Sequence, residues 1–185
     1  MRPSLKTIAK LLPPPASPRG SDRSWDAVEQ ELRLKLPHDY KAFIDLYGSG
    51  QIASAEGWVV VWNFRDASLF RSSLMEALSG DEGVTAWYRT KAASSGNQLP
   101  YPLYPDRGGL LPFAAVVDVD YLNWLTTGPT DQWNVVYWNF DGEEHRHLKG
   151  DTFGRCLLKM LRQQYTGLER PSSLKPPYEF KDLPR

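Results

Sequence analysis

Between Trp25 and Gly48 the apolar positions recur every three or four residues, a spacing that predicts two helices. Trp25, Val28 and Leu32 share one side of the first, with Ser24 as its N-cap and Asp26, Glu29 and Glu31 turned outward. Tyr40, Phe43, Ile44 and Tyr47 form the stripe of the second, which Pro37 opens and Gly48 ends, and the two helices are expected to pack as a pair. The period then drops to two. Trp58, Val60, Trp62 and Phe64 alternate with Val59, Val61 and Asn63, and the larger set is expected to face the core. Helical spacing returns at Phe70, Leu74, Ala77 and Leu78, stopped by Ser79-Gly80, with Trp87 and Tyr88 in a further helical turn. Residues 94–107, with three prolines, read as a loop.

Gly108-Gly109-Leu110-Leu111-Pro112-Phe113 is a turn that delivers the chain into the core, and strands follow it. The aromatic and β-branched runs 121–126 and 133–140 are expected to pair as antiparallel neighbours. Asp141-Gly142 signals a two-residue hairpin into a charged strand, in which Glu143, His145 and His147 share the side opposite Glu144 and Arg146. Such a strand suits a sheet edge guarded by charge. Phe153, Cys156, Leu157, Met160 and Leu161 mark a closing helix, capped by Asp151 or Thr152 and ended by Gly167. The expected class is α+β: an N-terminal helix pair and a C-terminal helix packed on a twisted antiparallel sheet. Residues 1–23 read as a short helix and a Pro-rich linker, 24–167 as the domain, and 168–185 as a Pro-rich tail.

Charge removes some functions from the picture. Lys+Arg and Asp+Glu both number 22, so no net charge draws the chain to nucleic acid or to an anionic membrane. No apolar run approaches the ~20 residues that span a bilayer, and no sustained apolar stretch suggests a secretory signal. One cysteine excludes an internal disulfide framework and suits a reducing compartment. The expectation is a cytoplasmic protein with no membrane and no direct nucleic-acid partner.

The order of motifs is distinctive: Trp25-x-x-Val28-Glu29, Leu36-Pro37-x-Asp39-Tyr40-Lys41-x-Phe43, Tyr47-Gly48-x-Gly50, Gly109-Leu110-Leu111-Pro112-Phe113, then Phe153 with Leu157. It resembles the SMI1/KNR4 family, also called the SUKH superfamily, over roughly residues 24–165. The resemblance implies helices on a twisted antiparallel sheet. In bacteria such proteins look like immunity proteins that bind and neutralise a cognate polymorphic toxin, often a nuclease; in fungi, similar domains belong to regulatory scaffolds of cell-wall synthesis. The family supplies no catalytic residues to carry over. This chain departs from its pattern in the Pro-rich ends and in Phe113, where many relatives have tryptophan.

Candidate chemistry is sparse. His145, His147 and Glu143 could ligate a metal from one strand face, though an exposed edge is the simpler reading. Cys156 could act as a nucleophile with His38, yet it lies on an apolar stripe where cysteine packs as a small hydrophobe. Asp118 and Asp120 could form a carboxylate pair or simply edge a strand. Neither a catalytic residue, a metal nor a cofactor is expected. The reading is a noncatalytic binding protein, best taken as an immunity protein, with a regulatory or scaffolding module as the alternative. The expected docking residues are Asp141, Glu143 and Glu144 with Trp133, since acidic groups complement the basic surface a nuclease uses on phosphates.

Overall fold

The computed structural model describes residues 3–70, 73–96, 98–117, 120–139 and 144–183, with the side chains of Pro3, Ser95 and Glu169 left aside. Helix α1 (Pro3–Leu11) leads to α2 (Trp25–Leu32) and α3 (His38–Tyr47), then strands β1 (Gly50–Ala53) and β2 (Trp58–Val61). Helices α4 (Leu74–Ser79) and α5 (Val84–Ser95) precede β3 (Leu110–Val116), β4 (Asp120–Leu125), β5 (Asn134–Asn139) and β6 (Glu144–Leu148). Helix α6 (Phe153–Leu161), short α7 (Glu169–Ser173) and strand β7 (Glu179–Asp182) complete the order. Among the described residues one seven-stranded antiparallel sheet runs β6-β5-β4-β3-β2-β1-β7. The α+β class is as expected.

One sheet face carries the main core. Leu5, Ile8 and Leu12 of the first helical segment, Val28, Leu32, Tyr40, Phe43, Ile44 and Tyr47 of the helix pair, and Phe153, Cys156 and Met160 of α6 all bury against Ile52, Val59, Leu111, Phe113, Leu122, Trp124 and Tyr137. Phe113 stands at a register shift between Pro112 and Ala114 and stacks on Trp124 at 4.3 Å between ring centroids. Leu110 turns the other way. It joins a second, smaller core with Tyr88, Leu103, Val136 and Trp138, where α5 covers the β4–β6 half of the opposite face. Tyr88 fixes that cover by stacking on Trp138 at 3.7 Å and donating a hydrogen bond to Asn123 Oδ1 at 2.9 Å.

Four expectations change. In β2 the buried set is Val59 and Val61, while Trp58 and Val60, with Trp62 just beyond the strand, are half-buried, and of the set expected to face the core only Phe64 is buried; the small residues fit under the closely packed helices and the large ones look to the partly covered face. Glu29 is buried, held by Lys35 and Lys41 at 2.7 Å each and by the Leu36 N–H at 3.0 Å. The N-terminal helix is part of the main core, and Tyr47 Oη donates to the Leu12 carbonyl at 2.6 Å. The C-terminal stretch, expected to be a tail without a period, adds β7 to β1. Phe180 occupies the notch left by Gly50, where a Cβ would lie 2.4 Å from the Phe180 ring. No helix among the described residues is long and apolar enough to cross a membrane.

Candidate partner-binding surface

The residues of the Leu36-to-Gly48 motif are used inside the fold. Asp39 Oδ2 accepts the Gly154 N–H at 2.9 Å and the Thr152 hydroxyl at 3.3 Å, so α3 caps the start of α6. Tyr40 Oη donates to the Trp62 carbonyl at 2.6 Å and accepts from the Phe64 N–H at 3.2 Å, tying down the exit of β2. Burial raises that phenol well above its ordinary value, so it serves as a neutral hydrogen-bonding group. Lys41 neutralises Glu29. Burial would raise the Glu29 carboxyl, but its bonds from Lys35, Lys41 and Leu36 outweigh that and bring it down to about 2. Gly48 has φ of 71°, and a Cβ there would lie 2.4 Å from the Arg19 backbone.

Function is therefore left to surfaces. Strand β6 lies at a sheet edge, paired from Asn139↔Glu144 to Val135↔Leu148. Glu144 is exposed, and Arg146 donates from Nη1 to the Thr166 carbonyl at 2.9 Å. Asp141 and Glu143, with the Asp141-Gly142 turn, lie outside the described residues. Trp133 is only 5 % exposed, its ring 6.2 Å from that of Trp124, so it belongs to the core instead of the docking surface expected for it. Aromatic side chains at strand starts fill the core as readily as they line an interface, and sequence pattern does not separate the two.

His145 and His147 do share a strand face, turned toward the smaller core. His145 packs on Trp138 at 3.8 Å and His147 meets Tyr101 edge-on at 6.2 Å. Their Nε2 atoms are buried without a hydrogen-bond partner among the described residues. Burial lowers the pKa of both, and Lys149 adds to the effect on His147. Among the described residues no three His, Cys, Asp or Glu side chains gather to hold a metal. Cys156 is buried in α6, burial pushing its thiol up to about 12, whereas His38 is exposed at the start of α3 and donates its backbone N–H to Asp131. The two are not a catalytic pair. Asp118 lies outside the described residues; Asp120 is wholly buried, accepting from the Tyr137 hydroxyl and from Arg170 Nη1 at 2.5 Å.

Two adjoining depressions were not anticipated. An apolar groove of about 280 Å³ is floored by Val60 and Trp62 and walled by Phe70, Leu78 and Val84. A polar cleft of about 440 Å³ contains Arg19, Asp22, Ser49, Asp66 and Asp182. Leu69 and Leu183 line both. Of its lining, only Val60 and Trp62 share a pattern along the chain, and that pattern does not mark a groove.

A family model described as SMI1 / KNR4 family (SUKH-1) matches residues 20–159. No curated protein and no solved structure matches the chain.

Proposed function

We propose, on the premise that the chain belongs to the SMI1/KNR4 family (SUKH-1), that it is a noncatalytic immunity protein that neutralises a cognate protein toxin by direct binding. The observation that carries this reading is the fate of the motif: Asp39, Tyr40, Lys41 and Gly48 all act in holding the fold together. A shared core of this kind leaves the surface free to match a partner. Exposed Glu144 on the β6 edge offers an acidic group to the basic face of a nuclease toxin, and the sequence just before it carries two more acidic residues, Asp141 and Glu143.

Stopped-flow association with a toxin whose gene is found beside this one tests the docking site. Neutralising Asp141, Glu143 and Glu144 together should lower the on-rate markedly at low salt and flatten its salt dependence. An unchanged rate and affinity would remove the hairpin from the interface. Reproducible turnover by the purified protein, abolished by substituting Cys156, His145 or His147, would overturn the noncatalytic reading. A regulatory or scaffolding module that reaches partners through its Pro-rich ends is the alternative; Leu5, Ile8 and Leu12 packed in the core and β7 paired with β1 give it less support.

A further inference from the structure

We propose that the open edge of β6 pairs, antiparallel and centred on His145, with the same edge of a second copy of the chain. The two ends of the sheet are not equally ready for a further strand. Strand β7 is four residues long, and its charges are already paired, Lys181 with Glu179 at 3.3 Å and Asp182 with Arg19 at 3.3 Å. Strand β6 runs five residues against β5 without a bulge, from Asn139↔Glu144 to Val135↔Leu148. Among the described residues no backbone hydrogen bond from outside the sheet reaches residues 144–147. Their outward N–H and C=O groups form a regular edge that a second strand can complete.

Charge chooses the register. Glu144 and Arg146 share the face of Tyr137, which stands opposite Arg146 across the β5–β6 pair. Glu144 is exposed, and Arg146 donates from Nη1 to the Thr166 carbonyl at 2.9 Å; among the described residues neither makes an ion pair. A two-fold axis normal to the sheet keeps every side chain on its own face, so only residues an even number apart can stand opposite each other. Centring that axis on Arg146 sets two guanidinium groups against each other, and centring it on Glu144 sets two carboxylates. Centring it on His145 sets Glu144 against the partner's Arg146 and Arg146 against the partner's Glu144, with the imidazoles meeting at the axis. Charges that keep a foreign strand off the edge thus admit a copy of itself. An edge contact is small, so the dimer is a weak one, forming at about 0.1–1 mM. It covers Glu144, which the immunity reading leaves open to a toxin, so toxin and second copy compete for one edge. The dimer is measured without any toxin, and either reading can fail alone.

Sedimentation equilibrium of the full-length protein tests the register by charge reversal. The parent should self-associate at about 0.1–1 mM, and E144R and R146E, each setting like charges opposite in both pairs, should self-associate about tenfold more weakly. An equimolar mixture of the two variants should recover the parent's association, because the reversed charges then meet opposite ones. If R146E fails to fold, H145C takes its place: oxidised glutathione should join that chain to itself more readily than it joins D22C, whose exposed position lies outside the sheet, while buried Cys156 stays out of the reaction. A parent that stays monomeric at about 1 mM, single variants that associate as the parent does, or a mixture no stronger than its components overturns the proposal. So does an H145C chain that cross-links no more readily than D22C.

Discussion

Asp39 at the start of α3 accepts the backbone N–H of Gly154 in α6 across 115 residues of chain, at 2.9 Å. A cap supplied from another helix joins the second of the family motifs to the last. Gly154 is needed for the approach, since a Cβ there would lie 2.8 Å from Ser4 Oγ and 3.1 Å from the Asp39 carboxylate.

Asp39→Ala should therefore cost about 1–3 kcal/mol, combining a lost cap with a buried N–H left unpaired. Asp39→Asn, which keeps an acceptor, should recover most of it. Urea denaturation of both variants measures the difference, and an Asp39→Ala midpoint equal to the parent's would show that the cap contributes nothing.

Glu29 makes an acid-stability prediction. Its carboxyl is held at about 2 in the folded chain against an ordinary 4.5, so the unfolded chain takes up the proton first. The contribution is fully present above about pH 4.5 and is lost as pH falls toward 2, amounting to roughly 3 kcal/mol. Glu29→Gln should start less stable at neutral pH and lose less between those limits. Parallel pH profiles for parent and variant would contradict this.

The two edge-strand histidines act in a higher window. Burial lowers both pKa values, so charging them opposes folding, and stability should fall as pH drops through their ordinary value near 6.5. The H145Q/H147Q double variant should show a flatter profile between about pH 7 and 5. Denaturant midpoints across that range decide it.

Phe113→Ala should cost about 3–5 kcal/mol, because its ring is 2 % exposed, stacks on Trp124 and meets Phe153 edge-on at 5.6 Å. A variant that melts with the parent would show that the site collapses around the deletion.

Local signals were read correctly where one physical effect dominated. Ser24 accepts the Ala27 N–H as expected of an N-cap, and Tyr40, Phe43, Ile44 and Tyr47 are all fully buried on their predicted stripe. Failures arose where two effects competed. The alternation in β2 was sound, but size alone does not say which face of a two-sided sheet lies under helices. Glu29 appeared to be an outward acid because its partners, Lys35 and Lys41, lie beyond the end of its own helix. Strand β7 carries no period of its own; it is ordered by the edge it joins and by Phe180 packing on Tyr47 at 5.1 Å. The candidate groove was illegible for a similar reason, since its walls meet only in three dimensions.

The β7 pairing also sets a timetable. Lys175, just before that strand, reaches Glu56, just after β1, across 119 residues of chain. At about 5–20 residues per second of synthesis, the open side of β1 waits on the order of ten seconds before its own cover emerges. An uncovered strand edge is a template for foreign pairing. A nascent chain is thus most vulnerable to misassembly after most of its core is made, and the emergence of β7 brings that interval to an end.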